Sequence, residues 1–590
     1  MSSEKKESAI ISKQMFKLLP IQILMAAVPA LNAFISGIFA NNFISSDSMS
    51  VVGLFAPISL ILSTISTMLI GGSQIFCAQY LGMNKHSRAN GVFTMDLIIT
   101  TAFAVLASAV LIVMGMFDLT GIFRATPELR PLFNSYMIGQ GIGIIPWILG
   151  VHVSGFLSLE NKVRRTTISS IVYVVINVIL DVLFIVKMKM GVFGLSLASA
   201  IGLWVMLIIQ VQYYFTSKCL FKFKIKELKM GDLKDIIKIG LPGSLGNGYQ
   251  SIRRVIVNGL IMKYVGPAGM SAFSTADSLI GIFWAVPGAM LNVSRMMFGI
   301  SAGEEDRRTL VNIMKVALRQ FALVLLVLAG ALALLAVPLT GFYFKDPSEP
   351  VYQMTVLAFR ILPFVLPVAI GCMSFTSMGQ ALNKQVLMHI LSVADGVLGV
   401  SLFSLILIPT LGMSGFYWAN VLNSVMAFVI IVIYSWIVRK KFPLSIEDLM
   451  AIPDGFGASE ENRIDISITQ MEEVIQVSKQ VQDFCIGRGL DKKRSFLAGL
   501  SLEETAANIV GHGFTKDKKK HAIDVRVSLK DDTLILRVKD NCRPFDPEAR
   551  LKITNSDDKA KNIGIKMVFK IAKKVTYQNI LGLNVLTIKM

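Results

Sequence analysis

The stretch NKVRRTTISSIVYVVINVILDVLFI, residues 161–185, decides how the rest of the chain is interpreted. It opens with the basic residues Lys162, Arg164 and Arg165 and continues as an apolar run from Thr167 onward. A helix needs about 20 mostly apolar residues to cross the hydrocarbon core of a bilayer. Basic residues at one end of such a run favour the cytoplasmic side of a membrane. The stretch therefore predicts a membrane-spanning helix that begins on the cytoplasmic side.

The composition of the chain extends this interpretation to most of its 590 residues. Hydrophobic residues make up 53% of the chain, 16% of the residues are charged, and the mean hydropathy is +0.62. Soluble proteins carry roughly 25% charged residues, so a membrane protein is favoured. The net charge of +19 would also suit nucleic-acid binding, but the basic residues fall in short loops and form no single patch. The five cysteines form no CxxC pair, so neither a zinc site nor a disulfide framework is indicated.

About twelve apolar runs are long enough to be spanning helices. The last of them ends near Val438. The predicted spans start near these residues: Met15, Val51, Val92, Leu132, Thr167, Val192, Ile239, Thr275, Ile313, Thr355, Val386 and Met413. The sequence therefore predicts an all-α polytopic bundle, followed by a soluble domain.

The loops between the runs alternate in charge. The loops after even-numbered spans are the basic ones, above all SKCLFKFKIKELKMGDLKD, residues 217–235. The positive-inside rule then puts both termini in the cytoplasm. The polar N-terminus has no cleavage signal, so we expect a multi-pass protein of a bacterial inner (plasma) membrane. The predicted units are an N-terminal tail (1–14), a first six-helix lobe (15–215), a basic loop (216–238), a second six-helix lobe (239–438), a linker (439–463) and a soluble domain (464–590).

The membrane part repeats itself at an offset of about 220 residues. GVFGLSLAS, residues 191–199, is similar to GMSGFYWAN, residues 412–420, and two further pairs of loop segments recur near the same offset. Chance recurrence of short loop motifs is the competing explanation, and three pairs at one offset argue against it. Two units with an even number of spans each are parallel, related by an axis along the membrane normal.

The repeated units, the loop YLGMNKHSRAN and the stretch 161–185 followed by GVFGLSLASAI resemble the multidrug and toxic compound extrusion (MATE) family. The resemblance covers residues 10–440. It implies two six-helix lobes that face a central cavity. It also implies antiport of a small organic solute against Na⁺ or H⁺.

Two polar residues in the fifth span are the candidate coupling site. Asn177 and Asp181 stand four residues apart, so they share one face of the predicted helix. An ionisable residue inside a span is costly and indicates function, although a solvated helix end is the alternative for Asp181. In the MATE family an Asn/Asp pair of this spacing contributes to the cation site of the first lobe. The first span, LNAFISGIF, has Asn32 and Ser36 but lacks the Asp that many members place there.

The second lobe contains five charged residues within predicted spans. They are Arg253, Arg254, Asp277, Arg360 and Asp395. One arginine could pair with Asp277 or Asp395 as a buried structural bridge. Alternatively, an arginine facing the cavity would bind the carboxylate or phosphate of a solute through its planar fork.

The C-terminal domain changes to an alternation of strands and amphipathic helices from Ile464 onward. Its motifs are SLEETAANIVGHGF (501–514), VKDNCRPFDP (538–547) and NIGIK (562–566). In this order they resemble the GHKL ATPase fold, an α/β sandwich, and most closely its anti-sigma-factor serine kinase branch.

This second resemblance implies a Mg-ATP site. Asn508 would bind Mg²⁺, which prefers oxygen ligands, and Glu504 would take a proton from an attacking hydroxyl. Asp540 would accept from the adenine amino group. Gly564 and Lys566 would help to hold phosphate at a helix N-terminus. The chain departs from the family pattern where Cys542 and Asn562 replace usual glycines, which puts turnover in doubt more than binding.

Several functions are compatible with these features. The first is an antiporter whose attached ATP-binding domain regulates it or phosphorylates a cytoplasmic protein partner. The alternatives are a membrane-anchored serine kinase or sensor, and a lipid-linked saccharide flippase of similar two-lobe build. An ATP-driven pump is disfavoured because the chain contains no GxxxxGK[ST] motif. The expected partners are a small organic solute and the lipid bilayer, with no nucleic acid.

Overall fold

A computed structural model describes most of the chain. Within it, a helical bundle is followed by a smaller α/β domain. The described residues are 11–20, 22–24, 26–27, 39, 43–44, 46–123, 129–216, 219–341, 344, 346–514, 521–530, 532–543, 546–547, 563–580 and 583–590.

The described part of the first lobe consists of helices joined by short turns. Inside lipid, a helix satisfies every backbone polar group within one segment, which is why each apolar run adopts it. The helices are α1 (11–20), α2 (Ser46–Gly82), α3 (His86–Met116), α4 (Arg130–Leu159), α5 (Val163–Asp181) and α6 (Gly191–Val211). The first predicted span lies partly outside the described residues.

The second lobe uses shorter helices, several of which are joined end to end. Three of its spans contain a short π or 3₁₀ segment, at Val316–Phe321, Leu362–Phe364 and Ala394–Leu398. The helices are α7 (Gly231–Tyr264), α8 (Pro267–Phe283), α9 (Ala285–Gly303), α10 (Arg307–Lys315), α11 (Ala322–Leu334), α12 (Ala336–Gly341), α13 (Pro350–Ile361), α14 (Val365–Ala381), α15 (Gln385–Val393), α16 (Gly399–Leu411) and α17 (Met413–Arg439).

Nine helical stretches among the described residues are long and apolar enough to cross a membrane. They coincide with nine of the predicted spans. The predicted seventh and eighth spans correspond to α7, whose first turns carry several charged residues, and to the two helices α8 and α9. α7 begins at Gly231, inside the predicted loop 216–238. Its polar first turns are held by an ion pair of 2.7 Å between Arg88 of α3 and Asp232.

Pro146 lies inside α4, which forms part of the interior of the first lobe. Proline has no backbone N–H, so it leaves the carbonyl of Ile142 without its usual helical partner. The indole Nε1 of Trp204 in α6 donates a hydrogen bond of 3.2 Å to that carbonyl. A neighbouring helix therefore satisfies the carbonyl group that the proline frees.

The two lobes meet closely at the end of the bundle that adjoins the C-terminal domain, which we call the domain end. Gly82 of α2 faces the carbonyl of Ile300, and Gly303 of α9 faces the carbonyl of Gln79. A Cβ atom at either glycine would overlap the opposing backbone. Only glycine permits this approach, and it closes the bundle between α2 and α9 at the domain end.

The C-terminal domain is a five-stranded antiparallel sheet with helices on one face. The strand order is β1-β2-β3-β5-β4. Its elements are β1 (Arg463–Ile468), α19 (Glu472–Gly487), α20 (Lys492–Asn508), β2 (Ile523–Lys530), β3 (Thr533–Asp540), α21 (Ile563–Ile571), β4 (Lys574–Ile580) and β5 (Leu583–Lys589), preceded in the linker by α18 (Ile446–Met450).

Alternation along β3 separates the two faces of this sheet. Leu534, Leu536 and Val538 are buried against α19, α20 and α21. Arg537 and Lys539 alternate with these residues along the strand and therefore point to the opposite face. We call this opposite face, with its charged side chains, the outer face of the sheet.

Candidate functional site

The predicted coupling residues of the first lobe lie together and are fully buried. Asn177 and Asp181 have exposed fractions of 0%. Asn177 Nδ2 donates to Ser199 Oγ at 3.3 Å. Its Oδ1 and both carboxylate oxygens of Asp181 are buried with no hydrogen-bond partner among the described residues. Three oxygen acceptors without donors suit either a hard cation or a proton.

The helix changes its geometry at this site. Asp181 is the last residue of α5, and a π segment continues from Val182 to Lys187. Such π segments inside helices are rare and frequently lie at functional sites. The zero exposure of Asp181 differs from the solvated helix end that was the alternative interpretation of this residue.

A cavity of about 540 Å³ lies inside the bundle, lined mainly by the first lobe. Tyr173 lines it and stands one helical turn before Asn177, so the cavity wall and the candidate cation site share α5. The lining also includes Gln74, Tyr136, Gln140, Trp147 and Arg295. Its mixture of aromatic and amide side chains is typical of sites for organic ligands.

Arg295 of α9 brings the second lobe into this cavity, and the sequence analysis missed it. Its Nε is buried and has no hydrogen-bond partner among the described residues. The signal was present, because LNVSRMMFG places one arginine in an otherwise uncharged run. An arginine that faces a cavity presents a charged fork to a carboxylate or phosphate.

The five predicted residues of the second lobe are brought into two pairs and one separate position. Arg254 and Asp277 form an ion pair of 3.2 Å, with side chains 61% and 45% exposed. Arg253 Nη1 donates to the backbone carbonyl of Asp395 at 3.4 Å. Arg360 is exposed at the end of α13. None of the five belongs to the described lining of the 540 Å³ cavity, and the contact of Arg253 is with the backbone of Asp395, not with its carboxylate.

The candidate nucleotide site of the C-terminal domain lies between α20 and the sheet. Glu504 and Asn508 are half-buried on one face of α20, and Asn508 Nδ2 donates to the Glu504 carbonyl at 2.7 Å. Asp540 ends β3 and is 6% exposed. Gly564 lies in the first turn of α21, and Lys566 is exposed one turn along. The described residues of the three motifs thus lie on α20, at the end of β3 and at the start of α21.

Asn584 of β5 also belongs to this site, and sequence reasoning missed it. Its Nδ2 donates to Asp540 Oδ1 at 2.7 Å, and the backbone N–H of Cys542 donates to the same oxygen at 2.9 Å. Burial raises the pKa of Asp540, and these two hydrogen bonds oppose that rise. Asn584 gave no signal because a single polar residue in the strand LNVLTIK is unremarkable.

The replacement of a usual glycine by Cys542 is accommodated locally. Cys542 is not among the described residues with positive φ, so its backbone does not require glycine. Its Sγ lies 3.8 Å from His521 Nδ1, and its side chain packs against Gly513. Asn562, the other departure, lies outside the described residues.

The outer face of the sheet covers an acidic turn between α9 and α10. Lys539 Nζ donates to Glu304 Oε2 at 2.6 Å and to Asp306 Oδ2 at 3.2 Å, and Arg526 pairs with Asp306. The side chains of Glu304 and Asp306 are only 1% and 2% exposed. We call these two residues the acidic turn.

The charges at this contact compensate one another. Burial alone would raise the pKa of Asp306, but Arg526 and Lys539 outweigh it and hold that pKa well below the ordinary value. Burial alone would lower the pKa of Lys539, but Glu304 and Asp306 raise it above the ordinary value. Both ions are therefore charged at neutral pH, and each depends on the other for solvation.

This bundle and this domain together define a class of protein: a multi-pass membrane bundle fused to an α/β domain, each of which matches a family model. Residues 20–183 match the MatE family model, and residues 469–590 match the histidine kinase-like ATPase domain. The chain therefore joins a MATE-family domain to a GHKL-type ATPase domain.

Relatives and solved structures agree with this assignment. A probable multidrug resistance protein NorM of Bacillus anthracis is 24% identical over 316 residues, which cover 52% of this chain and 67% of the relative. A mutant of the Vibrio cholerae MATE transporter VcmN has a TM-score of 0.67 at 17% identity, covering 74% of this chain and 99% of its own. A transporter of the MOP superfamily from Pyrococcus furiosus, described as having a binding pocket of reverse polarity, has a TM-score of 0.64 at 21% identity over 71% and 94%. The two structures establish the fold.

Proposed function

We propose that the chain is a secondary transporter that exports organic solutes, driven by Na⁺ or H⁺ binding at Asn177 and Asp181. The observation that carries this proposal is the buried carboxylate of Asp181, whose two oxygens have no hydrogen-bond partner among the described residues. A buried carboxylate without a partner is too costly to keep unless it binds a cation or proton. Tyr173 connects this site to the cavity, so solute and ion would compete or cooperate through α5.

Transport in proteoliposomes tests this proposal. Full-length protein would be supplied with an imposed Na⁺ gradient, an imposed H⁺ gradient or neither, and ethidium uptake would be followed. We expect uptake to follow one of the two gradients. Uptake that is the same with and without both gradients would contradict the proposal.

We further propose that the C-terminal domain binds Mg-ATP and regulates the transporter. Asn508 would hold the metal ion, Asp540 and Asn584 the adenine, and Gly564 with Lys566 the phosphates. Bound Mg-ATP would supply a phosphoryl group, and Glu504 is placed to accept a proton from an attacking hydroxyl. Regulation is favoured over phosphorylation of a separate protein because the outer face of the sheet already contacts the acidic turn of the second lobe.

Nucleotide binding to the full-length protein tests this second part. Asn508→Ala should weaken Mg-ATP much more than adenosine, because it removes the metal ligand. Asp540→Asn should weaken both, because it contacts the base. Calorimetry with Mg²⁺ present measures these affinities, and a folded wild-type protein that gives no heat with Mg-ATP would contradict the proposal.

A flippase for lipid-linked saccharides is the second candidate function, and Arg295 is the observation that favours it. The guanidinium group would bind the phosphate of such a lipid. Arg295→Gln should then reduce binding of a lipid diphosphate more than binding of ethidium. If Arg295→Gln binds the lipid diphosphate as tightly as the wild type does, the flippase candidate is contradicted.

A further inference from the structure

A second acidic side chain is buried inside the first lobe, on helices other than α5. Asp96 of α3 and His152 of α4 have exposed fractions of 0%, and Asp96 Oδ2 lies 2.7 Å from His152 Nδ1. Ser66 Oγ of α2 lies 3.2 Å from His152 Nε2. Asp96 Oδ1 is buried with no hydrogen-bond partner among the described residues. Three helices of the lobe therefore meet at an acid–base pair that the sequence analysis did not single out.

We propose that the Asp96–His152 pair binds one proton and forms a proton-coupling site separate from Asn177–Asp181. With a neutral imidazole, the pair carries one negative charge in an interior that solvates charge poorly. When the imidazole binds a proton at Nε2, the pair becomes neutral overall and keeps its hydrogen bond between Nδ1 and the carboxylate. Burial therefore favours the proton-bound pair, and access of water favours release of the proton.

Ser66 makes both protonation states of the pair acceptable. Its hydroxyl can donate to Nε2 of the neutral ring, and its oxygen can accept from Nε2–H of the imidazolium. Both ring nitrogens thus remain hydrogen-bonded before and after proton binding. A pair that served only to hold the helices together would need a hydrogen-bond partner at Nε2 in only one of these two protonation states.

The groups that face the pair from neighbouring helices carry no compensating positive charge. The Cys77 thiol of α2 interacts electrostatically with Asp96 and with Tyr214, and Tyr214 in turn interacts with Glu160. α6, which packs against α4, contains no acidic or basic residue. Among the described residues, no lysine or arginine forms an ion pair with Asp96. The charge of the pair therefore depends on its own proton.

The position of the pair relates it to the cavity. Val151 and Ser154 of α4 line the cavity, and His152 lies on the face of the same helix that points behind this wall. Pro146 interrupts the hydrogen-bond ladder of α4 less than two turns earlier, where helices bend most readily. Bending of α4 between transport states would thus change the access of water to the pair. This inference rests on the proposed transport function and specifies that protons contribute to its coupling.

A spectroscopic titration tests proton binding without any solute. Infrared difference spectra of the full-length protein in lipid nanodiscs would be recorded across the pH range in which histidine titrates. We expect His152→Gln to lose one titrating imidazole signal together with the linked carboxylate change, and Asp181→Asn to retain both. His389→Gln is the matched control: this histidine is exposed on α15, so its loss should not remove the linked carboxylate change. Identical spectra for wild type and His152→Gln at every pH would overturn the proposal.

Transport supplies the second measurement. In proteoliposomes with ethidium as the probe, His152→Gln should lose the acid-dependent part of H⁺-driven uptake, while the control His389→Gln retains it. A variant with lower thermal stability but an unchanged pH profile would show that the pair is structural and would overturn the proposal. If wild type moves no probe under any gradient, the transport function fails, and the infrared titration still decides whether the pair binds a proton.

Discussion

The two lobes differ in whether their acidic side chains have a basic partner. In the first lobe, Asp181 is fully buried without a basic partner, among the residues that the structure describes. In the second lobe, Asp277 pairs with Arg254, and Asp306 of the acidic turn pairs with Arg526 and Lys539. A carboxylate with a fixed cationic partner has little reason to bind a mobile ion. The comparison suggests that the first lobe exchanges ions and that the second lobe transmits contacts with the C-terminal domain.

The largest effect should come from Asp181→Asn. Losing the only charge at a candidate cation site should lower apparent ion affinity at least about tenfold, the range known for weakened metal sites. The measurement is ethidium uptake at graded Na⁺ and H⁺ gradients. Asp277→Asn in the second lobe is the matched control and should leave coupling unchanged. If Asp181→Asn depends on the Na⁺ and H⁺ gradients as the wild type does, the proposed difference between the two lobes is contradicted.

A large effect on stability is expected from Asp306→Ala. The change removes one of the two carboxylates that Lys539 contacts and one of the partners of Arg526, which also pairs with Asp465. The lost hydrogen bonds between charged groups should cost about 1.5 to 3 kcal/mol. Glu305→Gln next to it is the control, since Glu305 is 50% exposed and its pair with Lys530 should be worth no more than about 1 kcal/mol. Thermal unfolding of the full-length protein, with limited proteolysis of the linker, measures both. Equal loss in the two variants would argue against docking through the acidic turn.

A smaller effect concerns pH and the outer face of the sheet. Burial raises the pKa of Asp524 to about 6. A raised pKa means that this carboxyl group favours the folded state below its unfolded value near 4 and that this contribution disappears as pH rises through about 6. We therefore expect Asp524→Asn to be more stable than wild type at pH 7, by about 1 to 2 kcal/mol, and equally stable in acid. Unfolding measured at both pH values checks this; a variant less stable at pH 7 would contradict it.

The smallest effect should come from Arg254→Gln. Its ion pair with Asp277 is exposed, and exposed pairs contribute about 0 to 1 kcal/mol. We expect a small change in melting temperature and none in ion coupling. A strong loss of uptake in Arg254→Gln would instead indicate that the second lobe takes part directly in transport. The proposed contrast between the two lobes in ion coupling would then not hold.

Sequence patterns predicted the fold well because the membrane requires long apolar runs and a sheet packed on one face requires alternating apolar residues. Apolar runs of spanning length located nine helices, and strand alternation located β2 and β3. The pair Asn177–Asp181 was also predictable, because a charge within a span stands out. α7 was harder, because its first turns are polar and are held by an ion pair with a distant helix.

Residues that act only through three-dimensional neighbours were missed. Asp96 and His152 lie 56 positions apart in the sequence and meet only because α3 packs against α4. Arg295 lies in the second lobe yet lines a cavity formed mainly by the first lobe. The acidic turn acquires its role only when the outer face of the sheet covers it. No local pattern encodes these long-range contacts.

The adjacency of Gly303 and Glu304 has a mechanical consequence. Gly303 makes the backbone contact between the lobes, and the next residue, Glu304, accepts a hydrogen bond from Lys539. Asp540, which follows Lys539 in the chain, is the candidate adenine ligand. The candidate nucleotide site and the contact between α2 and α9 are thus linked through the Lys539–Glu304 hydrogen bond and one peptide bond. Because this path does not pass through the linker 439–463, a displacement of β3 would act directly on the contact between α2 and α9. Under the proposed regulation, the domain would act directly on the contact between α2 and α9, whereas a domain on a free tether would first have to reach that contact by diffusion.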